Sequence, residues 1–320
     1  MLLVPVLLYA EGPSDEERGW SFSQRFQGSS NYAGVVLKTN STATYSFNEH
    51  LKTYAGFPVY FTRESASNSR FVNGVGNVYA GFLVTADNPA IHYTSDLVGT
   101  APTGDRSRGF STGHATVDWT NTFSHTFNAV TPYASIGLAN TISDTSFFVR
   151  PFSSKGIVSH FESGAIANVA PHVSVGASGY AVRAAGEQQI ISKLDEQPAP
   201  AQVTTSTSPS QPTTTPQQSS PSGVISTLAN KLGVGNSGTG STGTGSPSTG
   251  SNSGGSGNGN GVIVTQQEII GPAALGNDHG FSTWLTVRPG RTTDLQIGYS
   301  RSIGFQYNSL FFGIGFRVGH

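Results

Sequence analysis

The stretch Ser309-Leu310-Phe311-Phe312-Gly313-Ile314-Gly315-Phe316-Arg317-Val318-Gly319 decides the fold of this chain. Successive side chains of a β-strand point to opposite faces. Leu310, Phe312, Ile314, Phe316 and Val318 therefore share one face, and Phe311, Gly313, Gly315, Arg317 and Gly319 share the other. The first face is apolar throughout, and the second is mostly small or charged. A half-buried strand of a water-soluble sheet has the same pattern. What separates the two readings is repetition with no helix to cover the apolar face.

The alternation recurs upstream. Leu295, Ile297 and Tyr299 oppose Asp294, Gln296, Gly298 and Ser300. Ala115, Val117, Trp119 and Phe123 oppose His114, Thr116, Asp118, Thr120 and Thr122. Pro132, Ala134, Ile136 and Leu138 oppose Tyr133, Ser135 and Gly137, and Val35, Leu37, Ala43, Tyr45 and Phe47 oppose Lys38, Asn40, Thr42 and Thr44. The second face is too hydrophilic for a dry sandwich core but suits a wet lumen. The expected fold is all-β: a transmembrane antiparallel up-and-down β-barrel of about 12 strands, in the bacterial outer membrane, with one long disordered extracellular loop.

Composition agrees. Of 320 residues, 11% are charged and 36% hydrophobic, whereas soluble domains carry about 25% charged residues. No run of about 18 apolar residues exists to form a transmembrane helix. Cysteine is absent, which excludes disulfides, thiolate metal sites and a cysteine nucleophile. A net charge of −1 gives no reason to expect a nucleic-acid partner.

Strands are expected at 18–28, 31–47, 50–63, 72–85, 90–101, 111–126, 129–142, 156–168, 171–185, 278–288, 291–301 and 307–319. Asn48-Glu49, Asp87-Asn88-Pro89, Asn128, Ala170-Pro171 and Pro289-Gly290 mark tight turns. Between them lie longer connections at 64–71, 102–110, 143–155, 186–277 and 302–306. Short periplasmic turns alternating with long outer loops are the barrel layout, and the even count puts both termini on the periplasmic side. Only the first outer connection, near Ser29-Ser30, is short.

Four regions follow. Residues 1–10 read as a secretory signal ending at Ala10, although a basic start is missing and Leu8 is not small. Residues 11–195 hold the first nine strands, and 262–320 hold the last three. Residues 196–261 are a Ser/Thr/Pro/Gln and then Gly/Ser/Thr/Asn tract, too poor in apolar surface to offset the entropy of ordering. Strand counting puts this tract outside the cell.

Signals of enzyme chemistry are weak. Gly109-Phe110-Ser111-Thr112-Gly113 matches a nucleophile elbow but runs from a loop into a strand rather than from a strand into a helix. Gly238-Thr239-Gly240-Ser241-Thr242-Gly243 matches a dinucleotide fingerprint without the flanking strand and helix. The eight histidines form no metal signature. His160 and Glu162 share a strand face, with His172 close in sequence, and read as a polar lumen lining. No catalytic residue, metal site or cofactor is expected. Inward parity nominates Arg25, Lys38, Lys52, Tyr54, Tyr60, Asp118, His160, Glu162, Asp294 and Arg317 as lumen-lining residues. Their mixed signs predict no strong ion selectivity.

Thr100-Ala101-Pro102-Thr103-Gly104-Asp105, followed by Gly109, Gly113 and a polar–aromatic strand to Phe123, resembles a hallmark of one group of barrels. These are the outer-membrane transporters named for a MetA pathway of phenol degradation. Gly74-Val75-Gly76-Asn77-Val78-Tyr79 resembles that family's Gly-x-Gly-Asp strand start, with Asn77 in place of Asp. The likeness covers most of 18–185 and 278–320, and implies a barrel that passes small, aromatic or apolar molecules. Pro102 ends strand pairing and Gly104 permits a tight turn, which puts Asp105, Arg106 and Arg108 at the outer rim. Gly315, Val318 and His320 resemble the C-terminal signal read by the outer-membrane assembly machinery, with His320 where an aromatic is usual.

The expected partners are outer-membrane lipid, that machinery and a small-molecule solute. Three functions stay open on the sequence: a conduit for small solutes, an adhesive surface protein displaying the 186–277 loop, and an outer-membrane lipase.

Overall fold

The structure, a computed structural model, describes residues 18–65, 69–142, 144, 149–194 and 268–319. The expected signal at 1–10, the tract at 196–261 and His320 lie outside them. The strands are β1 (Gly19–Asn31), β2 (Gly34–Ser46), β3 (Leu51–Glu64), β4 (Val72–Val75), β5 (Tyr79–Asn88), β6 (Ile91–Thr100), β7 (Thr116–Ser124) and β8 (Val130–Ala139). They continue as β9 (Phe152–Ala170), β10 (Val173–Ser192), β11 (Glu268–Gly271), β12 (Asp278–Val287), β13 (Thr293–Ser302) and β14 (Tyr307–Gly319). Neighbours pair antiparallel around one sheet.

The C-terminal stretch closes the ring. Phe22 faces Val318, Phe26 faces Ile314 and Ser30 faces Leu310 across the β1–β14 seam. Twelve positions make up the wall, because β4 and β5 lie end to end against β3, and β11 and β12 end to end against β10. The result is a closed twelve-strand antiparallel β-barrel.

Three of the short turns are built by asparagine. Asn48 Oδ1 accepts hydrogen bonds from the backbone N–H of His50 and Leu51, and Asn88 Oδ1 does the same for Ala90 and Ile91. Asn128 adopts a left-handed φ of 55°, which asparagine tolerates better than most residues.

Four boundaries differ from the sequence reading. The strand expected at 72–85 is broken at 76–78. There Asn77 Oδ1 accepts from Gly104 N (3.1 Å), Thr103 Oγ1 accepts from Val78 N (2.8 Å) and Asp105 N donates to Val75 O (3.1 Å). The two segments that carry the family resemblance are thus one latch, in which the 101–105 loop fills a gap in the wall. A Cβ on Gly104 would stand 2.8 Å from the Gly76 backbone.

The strand expected from 111 starts only at Thr116, because Phe110, Ser111 and Thr112 are buried in an inward-turned loop. Strands β9 and β10 run farther outward than expected, to Phe152 and Ser192, past a register shift between Ala185 and Gln189. Gly186 sits beside that shift with φ +70°, a bulge that repetition of two cannot reveal. Finally, a short β11 precedes β12, separated from it by the 3₁₀ turn Ala273–Gly276.

The wall is apolar outside and polar inside. Trp20, Phe22, Phe82, Leu97, Trp119, Leu138, Ile297 and Leu310 are exposed, while Lys38, Asn40, Asp96, Asp118, Thr120 and Ser300 are buried. Water would drive such a molecule to turn itself inside out, whereas a bilayer stabilises it as it stands. Trp20, Phe22, Tyr45 and Phe47 form a chain of ring contacts along the periplasmic end, as an aromatic girdle does at the lipid headgroups.

Candidate functional site

Twelve strands spaced about 4.8 Å apart and tilted about 40° place opposite backbones roughly 24 Å apart. Side chains and inward-folded loops fill much of that width, and differently at the two ends.

The outer end is occupied by loops. Following the 3₁₀ turn Arg106–Arg108, Phe110 stacks on Tyr60 with ring centroids 5.3 Å apart. Ser153 Oγ donates to Gly109 O (2.9 Å), and Ser29 Oγ on β1 donates to Val149 O. Phe110, Ser111, Thr112, Val149, Arg150, Leu194 and Phe305 are all buried. Beneath them remains a cavity of about 40 Å³, lined by Tyr60, Tyr79, Phe110, Thr116, Asp144, Phe152 and Lys193 among others. It has room for only a few waters.

Two carboxylates organise this plug. Asp144, from the β8–β9 connection, accepts Lys38 Nζ at 2.8 Å, Arg150 N at 2.9 Å, and Lys193 Nζ and Tyr60 OH at 3.4 Å. Burial alone would push its carboxyl up. The Lys193 and Lys38 ammoniums outweigh burial and hold it well below the usual carboxylate range. Burial lowers the Lys193 ammonium, against the opposing pull of Asp144.

Asp278, at the start of β12, accepts Ser302 Oγ (2.7 Å), Tyr180 OH (3.1 Å) and Arg150 Nη1 (3.3 Å). The Arg150 guanidinium also lies over the Tyr180 ring, 5.7 Å from its centroid. The β8–β9 connection is therefore bonded to β2 through Asp144 and to β12 through Arg150.

The wall strands hold the other nominated residues. Arg25 pairs with Asp294 at 2.8 Å and donates to Gln296 Oε1 at 2.8 Å. Tyr54 OH donates to Asp96 at 2.6 Å, and Tyr133 OH to Glu162 at 2.7 Å. His160 Nε2 lies 3.1 Å from Asp118 Oδ1, which also accepts Thr120 Oγ1 at 2.8 Å. Lys52 is half-buried near the periplasmic end, and Arg317 is exposed at that mouth. Acidic Asp96, Asp118 and Glu162 stand on β6, β7 and β9, and basic Arg25, Lys38, Lys52 and Arg317 on β1, β2, β3 and β14, where Asp294 on the neighbouring β13 pairs with Arg25.

At the rim, Arg108 Nε pairs with Asp105 Oδ2 at 3.2 Å, and Arg108 also reaches Asn73 O. Arg106 is exposed beside them. The elbow-like Ser111 is buried in the inward loop, where its Oγ accepts Gly113 N at 3.0 Å. His172, expected near His160 and Glu162, instead sits exposed in the turn after β9. Among the described residues no three His, Asp or Glu side chains converge as metal ligands.

Sequence reading missed Asp96, Asp144, Arg150, Lys193 and Asp278. Asp96 was accessible by parity, since Thr94, Asp96, Val98 and Thr100 alternate with Ser95, Leu97 and Gly99. Asp144, Arg150 and Lys193 lie outside strands and carry no period.

A closed antiparallel ring with an aromatic-girdled apolar exterior and a polar lumen defines a transmembrane β-barrel of the bacterial outer membrane. No family model and no curated protein matches the sequence. The fold is similar to the crystal structure of an outer membrane channel from Pseudomonas putida F1, with a TM-score of 0.51 at 10% identity over 96% of this chain and 100% of that one. The NanC porin aligns with a TM-score of 0.45 at 6% identity over 92% of this chain and 100% of that one. OmpF of Salmonella typhi, in a complex with daunomycin, aligns at 0.35 and 6% identity over 93% and 97%.

Proposed function

We propose that the protein is an outer-membrane conduit for small solutes. Support comes foremost from the inside-out wall: twelve strands spend their polar side chains on a lumen, where a structural anchor would need only a spanning surface. The solved channel with the same fold agrees. Arg25, Lys38, Lys52, Tyr54, Tyr60, Asp118, His160, Glu162, Asp294 and Arg317 line the path, with Asp105, Arg106 and Arg108 at its outer rim. The lining carries charges of both signs, so neutral or dipolar molecules cross more readily than ions of either sign. The resemblance of 100–105 and 74–79 to the phenol-degradation transporters adds small aromatic compounds to the candidates, with insertion by the assembly machinery through 315–320.

Liposome swelling tests the reading. Vesicles containing the folded chain should admit small neutral solutes faster than empty vesicles, and equal rates would refute it. A second reading rests on one observation. The described chain stops at Leu194 and resumes at Glu268, both at the outer end of the wall. Removing 196–261 should leave swelling intact, and loss of cell-surface adhesion in the same deletion would add a display role.

A further inference from the structure

The apolar exterior is interrupted midway along β1 and β2. Trp20, Phe22 and Gln24 share the outer face of β1, and Leu37, Thr39, Ser41 and Ala43 share that of β2, because the alternate residues Lys38, Asn40 and Thr42 are buried in the lumen. Gln24 Nε2 donates to Thr39 Oγ1, and Ser41 Oγ donates to Gln24 Oε1. This polar island is surrounded by Phe22, Phe26, Phe57 and Phe316. By contrast, the lipid-facing Tyr93–Asn121 pair stands close to the periplasmic end of β7, within reach of water.

The island borders a smooth strip. Ala43 faces Ala55, Ala55 faces Ala80 and Ala80 faces Gly99 across four consecutive wall strands. The outer connections here are also the shortest among the described residues, Tyr32–Ala33 between β1 and β2 and 303–306 between β13 and β14.

We infer that a second copy of this chain docks on the β1–β2 wall about a two-fold axis. Hydrocarbon offers no hydrogen-bond partners, and three adjacent polar side chains at mid-depth are costly when they face lipid alone. A primary amide and two hydroxyls are self-complementary, since the second Gln24 amide hydrogen and the Thr39 hydroxyl hydrogen can each reach an oxygen of the same patch on a copy. A two-fold interface apposes a patch to itself. In membranes, association is driven by close packing of small residues and by hydrogen bonds of this kind, and the alanine–glycine strip supplies the close approach.

The absence of cysteine makes the test direct. The full-length Ser41→Cys chain, oxidised in native membranes, should form covalent dimers at least several-fold more than Ser163→Cys, which places the thiol on the lipid face of β9. Photobleaching of the labelled, otherwise unchanged chain at low density in bilayers should show two copies per spot. Ala55→Trp and Gln24→Leu should return it to one copy while heat-dependent gel mobility shows the barrel folded. Single-copy spots from the unchanged chain, equal cross-linking at the two sites, or pairs that survive Ala55→Trp would each overturn the interface. None of these readouts depends on whether the lumen conducts.

Discussion

The outer and inner halves of the lumen use the same alternating strands but hold their charges differently. In the outer half, Asp144 and Arg150 come from a connection and meet Lys38, Lys193 and Asp278, nearly all sequestered from solvent. In the inner half, Arg25 pairs with Asp294 from strand to strand, and both keep some contact with solvent. Lys38–Asp144 and Arg150–Asp278 join a connection to the wall, and Lys193–Asp144 joins two connections. The inner pairs join wall to wall. In the conduit proposed above, the outer pairs would brace a closure and the inner pairs would line the path, and each half should answer mutation accordingly.

The largest effect is expected from Asp144→Ala. Removing this carboxylate leaves Lys38 and Lys193 buried without it, and stripping one partner from a buried pair costs about 3–5 kcal/mol. The plug should loosen and liposome swelling by small sugars should rise several-fold, with the barrel still folded by heat-dependent mobility. Lys38→Met should raise it less, about two-fold, because Asp144 keeps Lys193 and the Arg150 amide.

Acid should have little effect on the closure. With its folded pKa depressed, Asp144 contributes stability that is present above the ordinary carboxylate pKa of about 4 and is lost only as pH falls through the lower folded value. Swelling rates at pH 4.5 and pH 7 should match; an increase at pH 4.5 would remove Asp144 as the anchor. The smallest effect is expected in the inner half. A partly solvated ion pair is worth about 1 kcal/mol or less, so Arg25→Gln should leave sugar swelling unchanged and shift the reversal potential in a salt gradient modestly toward cations.

The wall was legible in sequence because lipid outside and water inside impose a period of two on every strand. Thr116, Asp118 and Thr120 against Val117, Trp119 and Phe123 show it as plainly as the last strand does. What escaped were features without a period. The break at 76–78 depends on a loop 25 residues away in sequence, through Thr103 and Val78. The bulge near Gly186 lengthens β10 beyond the last regular alternation. The plug was hidden for the same reason: Asp144 meets Lys38 across 106 residues of chain, and nothing local to either announces the other. Gly109–Gly113 has an enzyme-like spacing, set aside in sequence for want of a strand-to-helix turn, and its Phe110, Ser111 and Thr112 are buried in an inward loop.

Paired single-channel recordings in planar bilayers test the conduit most directly, using the unchanged full-length chain and Asp144→Ala at equal amounts of folded barrel. Expected are discrete steps of small conductance, infrequent in the unchanged chain and several-fold more frequent or larger in the variant. Folded, inserted barrels that show no steps in either form, at any voltage, would contradict a solute path through this lumen.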